Sequence, residues 1–242
     1  MPKNRIEVCF SPALAGYLRT NGKPLVVAVD VLRATTSMIT ALAHGAKSVI
    51  PVSSVEKAME LKKNGFPVAA ERDGEMLSFA DFGNSAFEFM GGKVNGKKLV
   101  FSTTNGTVAI ETGKEIGDVL IGAFSNLTPL AEWISQQDRD VVIICSGWKN
   151  TFCLEDTIFA GALIQKLLEK REYSIHCDSA SAASDLWNIA KGDILGYVEK
   201  AIHRERLRKL GVDDVLEFSF QIDTCNVIPL YREGEIVDVN RG

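Results

Sequence analysis

Residues 25–36 read LVVAVDVLRATT, and this stretch decides the fold. Val26, Val27, Val29 and Val31 are β-branched and almost uninterrupted. Such a run suits a strand buried on both faces, as in a parallel sheet, better than one that alternates between core and solvent. Asp30 falls at the strand's C-terminal end, the edge where open α/β sheets bind ligands. Arg33, Thr35 and Thr36 open a helical stretch, Ala34 to His44, closed by Gly45. One anion, one cation and two hydroxyls thus meet at a strand-to-helix turn whose free backbone N–H groups favour anions. A structural role, with Asp30 capping the helix and pairing with Arg33, accounts for the same residues.

The pattern repeats on either side. Upstream, Ile6 to Phe10 reads as a strand and Ser11 to Gly22 as a short helix or loop. Downstream, Lys47 to Val52 is a strand, and Ser53 to Glu56 has the form of a capping box for a helix ended by Gly65. Phe66 to Ala70 is a strand with Glu71 at its end, and residues 73–97 form a long Gly- and Asn-containing loop with Asp81 and Asn84. Lys98 to Ser102 is a strand that runs into Thr103, Thr104, Asn105, Gly106 and Thr107, then a helix to about Gly117. Val119 to Ala123 and Val141 to Cys145 are further strands, with a helix near Pro129 to Gln136 between them. Ser146 and Gly147 follow the second strand, and the loop WKNTFC leads to Glu155, Asp156 and a helix to Lys170. In the last third, Ser179 to Lys191 and Ile194 to Leu210 read as helices. Val215 to Ile222, Val227 to Tyr231 and Glu235 to Val239 read as strands.

Strand–helix alternation predicts a three-layer α/β/α fold with a largely parallel or mixed sheet, completed by a less regular α+β C-terminal portion. The chain reads as one unit over 1–242 and admits a subdivision into a core, 1–172, and a C-terminal portion, 173–242. Polar residues recur where apolar strands stop, so a parallel sheet gathers them on one edge. There the carboxylates suit a hard cation, and the hydroxyls and helix N-termini suit an anion.

Composition narrows the function. The net charge of −4 and the lack of a basic tract argue against nucleic-acid binding. No apolar run reaches membrane-spanning length. Five scattered cysteines without a CxxC suggest reduced thiols and a cytoplasmic setting. The segment GGKVNGKK, 91–98, resembles a P-loop but lacks the Ser/Thr and precedes a strand. There is no GxSxG elbow and no HExxH, and His44, His176 and His203 are too scattered to suggest a zinc site. His44 suits a helix C-terminus without any function. Glu155 and Asp156 read equally well as first-turn acids or as a metal-ligand pair. Cys153 reads as a small buried thiol, with a reactive thiol near the loop as the alternative. The RERLRK run, 204–209, reads as a solvated helix face, with Arg204 or Arg208 as an alternative anion contact.

Together VVAVDVLRATTSM, ERDG with DFGNSAFE, FSTTNGT, CSGWKNTFCLED and FSFQIDTCNVIPLYREGEI resemble, in order, the 2-phosphosulfolactate phosphatase family of coenzyme M biosynthesis. The resemblance implies a phosphatase that uses Mg²⁺ to convert 2-phospho-3-sulfolactate to 3-sulfolactate and phosphate. It is compatible with a homo-oligomer. It points to Asp30, Glu71, Asp81 and Asp156 as carboxylates for the metal, with Glu155 beside them and Asp30 and Asp156 foremost. Asp30, Arg33 and Asp156 are the expected catalytic residues. Arg33 is the expected clamp for the small anionic substrate. Thr35, Thr36, Asn84, Thr104, Asn105, Gly106, Thr107, Ser146 and Gly147 are the expected substrate-binding groups. Two alternatives stay open: a phosphatase for another small phosphorylated carboxylic acid, and an inactive anion-binding module of the same fold.

Overall fold

The computed structural model describes residues 4–20, 22–170 and 172–241. Asn21, inside the stretch expected as helix or loop, lies outside them. In chain order the strands are β1 (Asn4–Cys9), β2 (Leu25–Val29), β3 (Ser48–Pro51), β4 (Val68–Arg72), β5 (Glu75–Met76), β6 (Lys98–Ser102), β7 (Asp118–Gly122), β8 (Val141–Cys145), β9 (Tyr173–Ile175), β10 (Pro229–Arg232) and β11 (Glu235–Asp238). The helices are α1 (Ala34–Ala43), α2 (Val55–Lys63), α3 (Gly106–Lys114), α4 (Leu127–Ser135), α5 (Leu154–Leu168), α6 (Asp178–Ala190), α7 (Ile194–Val198), α8 (Ile202–Lys209) and α9 (Leu216–Ser219).

The β2 run behaves as its composition dictates. All five of its residues are buried. Leu25, Val27 and Val29 pack with Leu127, Leu130, Ile158, Phe159 and Leu163 of α4 and α5. Val26 and Ala28 pack with Met38, Ile39, Leu42 and Ile110 of α1 and α3. Alternate side chains of one strand therefore serve two cores, and the sheet is the middle of three layers. β2 pairs in parallel with β7 and β8, and β1 pairs in parallel with β8 and β9. On the other wing β3, β4 and β6 are also parallel.

The sheet order is β5-β4-β6-β3-β11-β10-β7-β2-β8-β1-β9. The hairpin β10–β11 thus joins the two parallel wings, antiparallel to β7 on one side and to β3 on the other. The C-terminal residues close the sheet at its centre.

The structure corrects several expectations. The helix after β3 is capped by Ser54, not Ser53, and Ser54 Oγ accepts the Lys57 N–H at 3.1 Å. The expected helix from Ile194 to Leu210 is two short helices, parted where Ala201 takes an extended conformation. The expected strand from Val215 to Ile222 is instead the short helix α9, in which Ser219 Oγ donates to Val215 O at 2.8 Å. Its apolar residues alternate as a strand's would, but here Val215, Leu216 and Phe220 are buried while Ile222 is exposed. β9 was not expected; three residues ending a parallel edge give little periodic signal.

Candidate active site

The C-terminal ends of β2, β4, β6 and β8 converge, and the sequence places a chemically distinct group at each. After β2 the backbone turns through Asp30 into α1. Asp30 Oδ1 accepts the Ala34 N–H at 3.3 Å, and its backbone N–H donates to Thr35 Oγ1 at 3.0 Å. Asp30 and Arg33 are 8% and 5% exposed, so two charges are held almost out of water. Gly106, the first residue of α3, lies directly against this turn. A Cβ there would stand 2.5 Å from Ala34 Cβ and 2.9 Å from Asp30 Oδ2, so only glycine fits.

From β4, Glu71 reaches across to the next strand end. Its Oε1 accepts the Thr104 N–H at 2.7 Å, and its Oε2 accepts the Gly74 N–H at 2.6 Å. From β8, the chain turns at Gly147, whose φ of 61° and 2.0 Å clearance to Thr151 O exclude a side chain. The first turn of α5 then buries Glu155 and Asp156, 2% and 3% exposed. Asp156 accepts the N–H of Val31 at 2.9 Å and of Gly147 at 3.1 Å, which ties the ends of β2 and β8 to α5.

A narrow cleft above this edge is lined by Asp30, Arg33, Glu71, Asn84, Asn105 and Trp148, and by His203 and Arg206 of α8. It shares Arg33, Gly74 and Asn84 with a wider hollow of about 380 Å³. Arg33 donates to Gly74 O at 3.2 Å, and its Nε has no partner among the described residues. Asn84 Oδ1 and Ser146 Oγ are likewise buried without partners. Buried polar atoms of this kind are rare unless a ligand or water completes them.

The electrostatics are one-sided. Burial raises Asp30 to about 7, with the Ala34 N–H opposing it and Glu71 adding to it. Burial likewise raises Glu155 to about 7. Burial, then repulsion from Glu155 and Asp30, pushes Asp156 well above the usual carboxylate range. Three buried acids therefore crowd together, with Arg33 acting on Asp30, a set that calls for more positive charge.

Not every expected residue reaches this place. Thr35 and Thr36 are fully buried, and their hydroxyls donate to Asp30 O at 2.8 Å and Val31 O at 2.9 Å. Thr107 donates to Thr103 O at 2.9 Å. All three brace turns instead of facing the cleft. Thr104 donates to Glu71 from both its backbone N–H and its hydroxyl, and Gly147 donates to Asp156 through its backbone. Asp81 is set apart: it pairs with Lys62 and accepts the Val68 N–H at 2.8 Å, at the start of β4 and away from Glu71 at its end.

Three cleft residues were not read from sequence. His203 Nε2 lies 2.9 Å from Leu32 O, its ring 5.4 Å from that of Trp148. The Arg206 guanidinium stacks on Trp148 at 3.5 Å and donates to Asp73 O. Within the RERLRK run it is Arg206 that lines the cleft, whereas Arg204 and Arg208 pair with Glu199. A helical projection would have put Arg206 on the same face as His203, but only α8's packing says which face is inward.

The fold and this edge, with acids and arginines gathered over a parallel sheet, suit the binding of a small anion. The chain belongs to the 2-phosphosulpholactate phosphatase family, a family of phosphoric monoester hydrolases, whose model matches residues 11–234. It is similar to proteins named probable 2-phosphosulfolactate phosphatase. That of Caldanaerobacter subterraneus subsp. tengcongensis is 35% identical over 86% of this chain and 88% of the relative. That of Thermotoga maritima is 31% identical over 96% and 97%. That of Gloeobacter violaceus is 37% identical over 93% and 94%. Among the described residues no helix is long and apolar enough to cross a membrane.

Proposed function

We propose that this chain is a magnesium-dependent phosphatase that hydrolyses 2-phospho-3-sulfolactate to 3-sulfolactate and phosphate, a step of coenzyme M biosynthesis. Family membership supports the reaction. The observation that carries the chemistry is the packing of Asp30, Glu155 and Asp156 into one buried group beside Arg33.

That group fits a hard divalent cation, because its donors are oxygens and its mutual repulsion is uncompensated. Asp30, which lines the cleft, would hold Mg²⁺, with Glu155 and Asp156 supplying the negative charge behind it. When bound, the ion would supply positive charge to the phosphoryl oxygens and to the acids. The chain's own residues do the rest. Arg33, with a free Nε, and Arg206, held flat on Trp148, supply the cationic clamp for a phosphate and a second acidic group. Asn84 and Asn105 border the same cleft and fix orientation. Asp30 lines the cleft, whereas Asp156 is held behind it by two backbone N–H groups. Asp30 is therefore the group placed to take a proton from attacking water or to attack phosphorus itself. All five cysteines are free, which supports a reducing, cytoplasmic setting.

A substrate panel tests the reading. Release of phosphate from 2-phospho-3-sulfolactate, in preference to phospholactate and phosphoglycolate, is the expected result. Preference for another phosphorylated acid would move the substrate, and no release from any would favour an anion-binding module.

A further inference from the structure

The fold builds a second donor set that overlaps the buried carboxylates at Glu155, one that the sequence order conceals. Cys153 precedes α5, Glu155 lies in its first turn, and His203 comes from α8. One ligand atom from each lies within 4.8 Å of the others. Three observations mark the set as a site.

First, the imidazole keeps a free nitrogen. His203 Nε2 stands 2.9 Å from Leu32 O, an acceptor only, so Nε2 carries the proton and Nδ1 carries the lone pair. That Nδ1 is buried and has no partner among the described residues. A ring nitrogen fixed by a backbone carbonyl while the other is left free is the arrangement that metal-ligating histidines adopt. Second, Glu155 is 2% exposed and its Oε2 is also buried without a partner. Third, the Cys153 thiol completes the triangle at 5% exposure, at the wall of a cavity of about 310 Å³ that Phe152, Lys200 and Ile202 help to line. The cavity leaves room for a further ligand.

We propose that Cys153, Glu155 and His203 form a site for a thiophilic divalent ion of the Zn²⁺ class, one that shares the buried acid Glu155 with the hard-cation group around Asp30. Thiolate, imidazole and carboxylate together select zinc or cobalt over magnesium, which prefers oxygen donors alone. Three protein ligands and a fourth, open position match the open kind of zinc site. Binding forms the metal–sulfur bond as the thiol proton leaves to solvent, and no electron is transferred. The bound ion would clamp α8 to the start of α5, and with it the helix that carries Arg206. The site does not rest on the phosphatase reading, because its ligands are defined by their own geometry.

Co²⁺ added to the full, metal-stripped chain tests this. The expected result is a thiolate-to-cobalt charge-transfer band that saturates at one equivalent and is displaced by Zn²⁺ but not by excess Mg²⁺. Cys153→Ser should abolish the band, His203→Gln should weaken cobalt binding at least about tenfold, and Cys225→Ser should leave both unchanged. Saturating Zn²⁺ should raise Tm of the wild type by about 5 °C or more, and of Cys153→Ser not at all. If Cys153→Ser does not fold, the His203→Gln titration, which keeps the thiol, decides. The absence of a thiolate band in the wild type, or wild-type cobalt affinity in folded His203→Gln, would overturn the proposal.

Discussion

Asp156 Oδ1 accepts the backbone N–H of Val31 at 2.9 Å, a bond between residues 125 apart in sequence. With Oδ2 on Gly147 N–H, the same carboxylate fastens the ends of two strands to a helix. Removing it leaves two buried donors unpaired, at about 1–3 kcal/mol each. Asp156→Ala is therefore expected to lower stability by about 2–6 kcal/mol, with Asp156→Asn milder because its amide oxygen keeps one of the bonds. Urea unfolding of the two variants checks this. Equal, near-zero effects would mean the strand ends are held by something else.

Asp30 and Arg33 should separate kinetically. Loss of a proton-transfer group or nucleophile costs at least about 10²–10⁴ in rate, so Asp30→Asn should lower kcat by that factor or more. Loss of one charged hydrogen bond costs about 1.5–3 kcal/mol. Arg33→Ala should therefore reduce kcat/KM by roughly 10- to 100-fold, mostly through KM. Steady-state phosphate release with both variants makes the comparison, and wild-type rates in both would remove them from the site.

Asp81 supplies the contrast. It sits in a partly exposed pair with Lys62, and such pairs contribute about 0–1 kcal/mol. Asp81→Asn is expected to keep wild-type kcat and wild-type Mg²⁺ dependence. A shift in the Mg²⁺ concentration needed for half-maximal rate would restore Asp81 to the metal set.

The buried acids also set a pH dependence. Asp30 and Glu155 are raised to about 7 in the fold, against about 4 in the unfolded chain. The folded state binds more protons between those values, so this contribution is fully present below about pH 4 and is lost as pH rises through about 7. His203, lowered by burial to about 4, works oppositely, losing stability as pH falls through about 6.5. Above about pH 6.5 only the acids remain in play. In EDTA, Tm should therefore fall from about pH 6.5 to about pH 8, and Mg²⁺ should reduce the fall. A flat or rising Tm in EDTA would contradict the raised acids.

The sequence revealed the parts whose physics is local. The valine run of β2 requires two apolar faces, and it has them in the packing of Val27 and Val26 against opposite cores. The acids at strand ends were legible because a parallel sheet aligns those ends. The central place of β10–β11 was not, since two short apolar segments carry no information about which strands they join. Nor was His203, which lies far in sequence from Cys153 and Glu155 and is brought to them by the fold. Thr35 and Thr36 look like ligand groups in a string of letters. Their hydroxyls satisfy the carbonyls of the turn they follow.

The central claim is that the buried acids around Asp30 work with a bound cation on a phosphate ester. It is tested most directly by phosphate release from 2-phospho-3-sulfolactate with Mg²⁺ and then with EDTA, in the wild type and in Asp30→Asn. The account predicts turnover that stops on chelation, returns with Mg²⁺, and is lost in Asp30→Asn at any Mg²⁺ concentration. Turnover that persists in EDTA, or survives in Asp30→Asn, would contradict it.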